Sequence, residues 1–207
     1  MTTLPRALFL MPPVECAPMG RHEVASAASG HACPVVNNES TVDDLQAIVA
    51  AGSPVIGLAG CRKGADIQRL ATLLSVAEAQ AGRADGETRI LALTDGILPA
   101  PAATEGFIGK SSRLAALVWD RLALENALAT ATPRMQDGTW TVAFAAARAA
   151  VLLAAAAGGI PAYDCACDLD GNSFQRDCET SRNEGFYGRI AKDAAQAAVI
   201  EATYLRE

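Results

Sequence analysis

The sequence predicts an α/β protein built around a parallel sheet. Short apolar strand candidates alternate with alanine-rich helical segments along all 207 residues, the pattern expected of successive βα units. The strand candidates are apolar on both faces, as expected where helices cover a sheet from outside. Several of them end on a polar residue (Asn37, Asp95, Asp164), and the C-terminal edge of a parallel sheet is where ligands bind.

Arg6–Met11 is a compact apolar run stopped by Pro12 and Pro13, which predicts a buried strand. Met19–Ala28 reads as a helix ending near Gly30, and Cys33–Asn37 as a second strand. Ser40 is placed to cap a helix running to Ala51, with Asp43 three residues on where a capping box carries Glu. Pro54–Ala59 is the third strand. Asp66–Gln80 follows as a helix with Ile67, Leu70, Leu74 and Ala77 at near-helical spacing. Arg89–Leu93 and Leu114–Trp119 are the fourth and fifth strands, and Thr139–Ala157 is a long helix. Ile160–Tyr163, Ser173–Glu184, Gly185–Ile190 and Ala194–Leu205 complete the series as strand, helix, strand and helix. No linker, repeat or low-complexity segment divides the chain, so residues 1–207 are expected to form one domain.

Composition narrows the function. There are 17 Lys+Arg against 23 Asp+Glu, a formal charge of −6, which argues against a nucleic-acid footprint and gives no polybasic membrane signal. Apolar residues make up 51% of the chain, enough for a sizeable core. The apolar run at Ala7–Met11 is too short for a signal-peptide core. Thr141–Ala157 is interrupted by Arg148 and falls short of the roughly 20 apolar residues of a membrane span. Six widely and irregularly spaced cysteines point to reduced thiols and a cytoplasmic location.

Six segments, in order, resemble the citrate lyase beta-subunit family of the HpcH/HpaI aldolase group. Arg6-Ala-Leu-Phe-Leu-Met-Pro-Pro13 is similar to its opening R-S-L-L-F-V-P-G strand. Met19–Ala32 resembles the first helix. Val35-Val-Asn37, followed by the helix ending at Gly52, resembles its R-V-N segment. Arg89–Asp95 looks like the I-L-A-L-I-E strand, Ala156–Asp164 like A-G-L-P-A-I-D, and Glu184–Arg189 like L-G-F-D-G-K.

The resemblance implies a (β/α)₈ barrel, which usually takes about 250 residues. The family's second strand, carrying D-L-E-D, has no counterpart here, because His31-Ala-Cys-Pro34 leads directly into the next strand. A modified TIM-like barrel is expected, re-closed or open, with about one βα unit missing. The resemblance also implies a homo-oligomer, commonly a trimer.

The activity it implies is cleavage or formation of a C–C bond in a 2-oxo acid or acyl thioester, assisted by Mg²⁺ (or Mn²⁺) held by a Glu and an Asp at strand ends. Asp95 falls on the Glu ligand, as catalytic and metal-binding carboxylate, although Thr94-Asp95-Gly96 also suits a plain turn. Asp120 is the candidate for the second ligand, or else a helix N-cap. Asn37 matches the family asparagine, as a substrate or turn contact.

Other family positions are altered. Val35 replaces the arginine that grips substrate carboxylate, and Leu58-Ala59-Gly60 replaces L-P-K. Arg62 and Lys63 just beyond could restore positive charge for substrate binding, or form a solvated loop. The family's I-H-P histidine is absent at Lys192-Asp193-Ala194, and neither His22 nor His31 occupies a matched catalytic position. Cys165, Cys167 and Cys178 lack the pairwise spacing of a zinc site. Asp168–Asn172 lacks calcium-loop register and reads as a turn into a helix. Two functions remain: a metal-assisted C–C lyase, or a non-catalytic relative kept as a binding or assembly subunit.

Overall fold

The computed structural model describes residues 4–11, 32–99, 106–129 and 132–205. Its strands are β1 (Ala7–Met11), β2 (Ala32–Val36), β3 (Val55–Leu58), β4 (Arg89–Thr94), β5 (Leu114–Trp119), β6 (Ala162–Asp164) and β7 (Gly188–Ile190). Its helices are α1 (Val42–Ala50), α2 (Gly64–Gln80), α3 (Arg121–Leu128), α4 (Val142–Ala157), α5 (Gly171–Glu184) and α6 (Ala194–Tyr204). The helix expected over Met19–Ala28 lies outside the described residues, together with His22 and His31.

Every strand pair is parallel, and the strands follow chain order around a closed barrel. Of the two outcomes left open by the missing unit, the barrel has re-closed. β1 pairs directly with β2, Phe9 opposite Ala32, and on its other side with β7, Ala7 opposite Arg189. No described strand is left with a bare edge, so the backbone groups of both end strands are paired within the sheet.

Strand periodicity sorts the side chains into two cores. Leu8, Cys33, Val35, Leu91, Leu93, Ala116, Val118, Tyr163 and Ile190 fill the barrel interior. Alternate residues such as Ala7, Val36, Ile56, Ile90, Ala92 and Leu117 face the helices. Seven strands enclose a narrower lumen than eight, and small residues accommodate it. A Cβ on Gly57 would lie 3.1 Å from Leu93 and 3.2 Å from Val35.

The helices bury the faces their spacing predicts. Ile67, Leu70, Leu74 and Ala77 of α2 are buried, as are Leu45 and Val49 of α1. The N-cap of α1 is Thr41 rather than Ser40: Asp44, at the third helical position, accepts from the Thr41 backbone N–H at 2.7 Å. Ser40 instead closes a turn from Asn37, and this displaces the helix start by one residue. α4 has the long apolar span expected, and no helix among the described residues is long and apolar enough to cross a membrane.

Below the barrel, at the N-terminal ends of β4 and β5, buried Glu78 accepts from Arg113 and from the amides of Thr88 (2.7 Å) and Gly86 (2.8 Å). Burial alone would raise its pKa. The Arg113 hydrogen bonds and the two amides outweigh burial and hold it at about 2, below its ordinary 4.5. Asp164 is likewise held at about 2 against an ordinary 3.8, with Arg189 and Arg148 overcoming its burial. A carboxylate whose pKa is depressed on folding contributes stability above its unfolded value, and that stability is lost as pH falls through the folded value. The urea midpoint is therefore expected to hold from pH 7 to about 5 and to fall between about 4.5 and 2. Glu78→Gln should flatten that fall; an unchanged acid limb in this variant would remove Glu78 from the account.

Candidate functional site

The C-terminal ends of the strands form the mouth of the barrel. Asp95 follows β4 directly and is 3% exposed. The chain turns away at Gly96, whose φ of +87° favours glycine and whose missing Cβ would sit 2.6 Å from the carbonyl oxygen of Ala147 in α4. This tight turn aims the carboxylate back across the rim. Its Oδ1 accepts from the Ile97 backbone N–H at 2.9 Å. Its Oδ2 accepts from Arg62 Nε at 2.9 Å and also from Arg62 Nη2.

Arg62 lies in the β3–α2 loop with 56% of its side chain exposed. Its backbone is fixed independently of that ion pair. Cys61 N–H donates to the Leu93 carbonyl at 2.9 Å, tying the loop to β4. The N–H groups of Arg62 and Lys63 both donate to Asp66 Oδ2 at 3.1 Å, at the start of α2. The guanidinium is thus held from below by the loop and from the side by a buried carboxylate.

Asp120 stands at the end of the neighbouring strand, where its N–H donates to the Thr94 carbonyl at 2.8 Å. It caps α3, accepting from Ala123 N–H at 3.0 Å. That helix had no predicted counterpart; its one local signal was Asp120 directly after a strand. Asp120 lines a mouth cavity of about 80 Å³ with Leu10, Leu93, Val118, Ile190 and Arg121. The volume is below the several hundred Å³ of a pocket for a drug-sized ligand, so the cavity suits a molecule of a few heavy atoms. Arg121 was not anticipated as a rim residue, although a basic residue two positions past a strand end is a readable signal. It is held by Glu125 and, at 3.4 Å, by Asp168.

Asn37 stands apart from this group. Its Oδ1 accepts from the N–H groups of Glu39 (2.8 Å) and Ser40 (3.1 Å), a side-chain-closed turn leading into α1. It lines a separate depression of about 910 Å³ that also takes in Met11, Pro34 and Ile48. Asp164, expected at the ligand edge, faces outward because Tyr163 takes the inward position on β6. It belongs to the buried layer between barrel and helices, bonded to Arg148 and Ser181.

The carboxylates do not fit a divalent cation as they stand. Mg²⁺ needs carboxylate oxygens free to face it. Both Asp95 oxygens are engaged, one by a guanidinium, and Asp120 gives one of its two oxygens to a helix cap. No group of three or more His, Cys, Asp or Glu able to hold a metal occurs among the described residues. Cys33, Cys61, Cys165, Cys167 and Cys178 are buried free thiols. Burial pushes Cys33 and Cys61 up to about 12 and Cys178 up to about 11, which keeps them protonated and unsuited to metal or nucleophilic chemistry. The Asp168–Asn172 stretch leads into α5, with Asp170 as N-cap, as the turn reading expected.

No protein-family model and no curated protein matches the sequence. Solved structures do match the fold. RipC from Yersinia pestis superposes with a TM-score of 0.69 at 19% identity, over 98% of this chain and 96% of that one. A citrate lyase from Burkholderia xenovorans LB400 gives a TM-score of 0.73 at 16% identity, over 97% and 69%. Protein CitE from Mycobacterium tuberculosis, in complex with magnesium and acetoacetate, gives 0.65 at 20% identity, over 86% and 69%. The expected resemblance is therefore met at the level of fold: the chain is a closed, parallel α/β barrel of the architecture shared by these citrate lyase-type structures.

Proposed function

We propose that the chain is a divergent relative of the citrate lyase beta subunit and acts as a C–C lyase on a small 2-oxo acid or its acyl-thioester adduct at the barrel mouth. The observation that carries this reading is the buried Asp95 holding Arg62 at the C-terminal rim; a small cavity lined by Leu93, Asp120 and Arg121 opens at the same end of the barrel. The chemistry requires little more. When the C–C bond breaks, its electron pair passes into the neighbouring carbonyl and makes an enolate. The departing carbon becomes a carbonyl as its hydroxyl proton passes to solvent water, and a proton from solvent then adds to the enolate carbon. A fixed cation beside the developing oxyanion is the main requirement, and such preorganised charge commonly contributes 10²–10³ in rate.

In this reading Arg62 binds the substrate and Asp95 orients it. Asp120 shapes the rim, and Asn37 supports the loop between β2 and α1. The magnesium implied by the resemblance is not carried over, since Arg62 already neutralises Asp95. A cytoplasmic homo-oligomer, a trimer by resemblance, completes the reading. α4 leaves Val142 and Leu153 of its outward face 87% and 66% exposed, available for such assembly. A second reading, a non-catalytic binding or assembly subunit, is favoured by Val35, which leaves no guanidinium on β2.

Citryl-, malyl- and citramalyl-thioesters, assayed with and without Mg²⁺, separate the two. Wild type is expected to cleave one of them, with Asp95→Ala reduced at least 100-fold. Binding of pyruvate or acetoacetate without cleavage of any thioester would establish the non-catalytic reading instead.

A further inference from the structure

We infer that Arg62, clamped by Asp95, takes the place of a metal ion at this mouth, binding the carboxylate or enolate oxygens of a small 2-oxo acid without a divalent cation. The inference deepens the proposed function and rests on it. Four observations support it.

The first is that the guanidinium occupies the carboxylate itself. Arg62 Nε and Nη2 both donate to Asp95 Oδ2, while Ile97 N–H takes Oδ1. A dication bound there would have to displace both guanidinium donors and then sit beside a like charge. The second is that the displaced head could not simply swing away with its loop. Cys61 is hydrogen-bonded to β4 and the Arg62 and Lys63 amides to Asp66, so the backbone returns the side chain to the same rim.

The third concerns the donors that remain. Arginine carries five N–H groups in a planar fork. Two serve Asp95, and among the described residues no other acceptor takes the rest. With the head 56% exposed, those donors are available to a planar carboxylate or an enolate oxygen from the solvent side. The fourth is the lack of a ligand cluster: among the described residues no group of three or more His, Cys, Asp or Glu could hold a metal. Asp120, at the end of the adjacent strand, has one oxygen committed to Ala123 N–H, and the mouth cavity it lines is otherwise apolar apart from Arg121. The rim carries Arg62 on Asp95 and Arg121 on Glu125, and among the described residues no cluster of metal-ligating side chains.

Calorimetric titration of the full chain with pyruvate and with acetoacetate tests this. Each titration is run once in EDTA and once in millimolar Mg²⁺. Wild type is expected to bind in EDTA with an affinity unchanged, within twofold, by Mg²⁺. Arg62→Ala should weaken binding at least tenfold. Arg62→Lys should recover part of the loss, since an ammonium supplies charge but not the fork. Asp95→Asn should weaken binding about three- to tenfold by loosening the guanidinium, with Mg²⁺ restoring nothing. Circular dichroism of each variant confirms folding, and the Lys variant keeps the test decisive if the Ala variant does not fold. Wild-type binding that appears only with Mg²⁺, or wild-type affinity equal to that of Arg62→Ala, overturns the inference and leaves the 2-oxo acid reading standing. No binding of either acid with or without Mg²⁺ overturns both.

Discussion

Asp164→Asn is expected to lower stability by about 3 kcal/mol, the lower part of the range for breaking a buried ion pair, and Tm by about 6–12 °C for a chain of this length. Asp164 is 1% exposed. Its Oδ1 accepts from Arg148 Nε (3.1 Å) and the Cys165 amide (2.9 Å), and its Oδ2 from Arg148 Nη2 (2.7 Å) and Ser181 Oγ (2.6 Å). Arg189, fully buried, lies 4.0 Å from the same carboxylate. Removing the charge leaves two buried guanidinium groups short of their counter-ion. The cost stays near 3 rather than 5 kcal/mol because Arg148 keeps Glu184 and Arg189 keeps Asp177 at 2.6 Å. Urea denaturation of Asp164→Asn, Arg148→Met and the double variant measures the coupling. A coupling energy above about 1 kcal/mol is expected for groups in one network. Additive effects would show that Asp164 and Arg148 are merely neighbours.

Gly188→Ala is expected to be comparably damaging, by about 3 kcal/mol, for a steric reason. Gly188 lies on β7 where the barrel closes against β1. A Cβ there would sit 2.1 Å from the Arg6 carbonyl oxygen, 2.9 Å from the Arg6 carbonyl carbon and 2.8 Å from Tyr163 Cε1. That carbonyl accepts the closing hydrogen bond from Arg189 N–H at 2.8 Å, so the obstacle is backbone and no rotamer change relieves it. Overpacking of a core typically costs about 1–3 kcal/mol, and a clash with main chain falls at the top of that range. The expected readout is a Tm loss of about 6–12 °C, with amide exchange accelerated in β1 and β7 before the other strands. A variant with wild-type Tm would mean that the β1–β7 seam yields easily and does not hold the barrel shut.

Both sites show how far the sequence could be read. Most strands were legible because they are apolar runs ended by a turn residue or a proline, and parallel pairing follows from the helices between them. Asp95 was legible as a charged residue at a strand's C-terminal end, and Arg62 only as a loop cation for substrate or solvent; that the two meet was not visible. α3 was missed because Arg121–Leu128 is mixed in polarity and buries Leu124 alone. Asp164 was placed at the ligand edge because strand-end position is visible in sequence while facing is not. Its outward direction follows from Tyr163 filling the lumen, which only the packed barrel reveals. The start of α1 shifted by one residue because Asn37 recruits Ser40 into a turn, a competition between two local hydrogen bonds that spacing alone does not resolve.

By itself, then, the sequence determined the succession of βα units and the parallel sense of the sheet, while the family resemblance pointed to a missing unit and to Asp95 and Arg62 as candidates. Apolar periodicity and turn chemistry are local properties, and they survive without knowledge of the rest of the chain. Tertiary structure alone decided that seven strands close rather than stay open, that Asp95 is satisfied by Arg62, and that Asn37 and Asp164 lie outside that group. Each of these depends on which groups meet across the barrel, and such distances are set by strand register and lumen width rather than by any neighbouring residue.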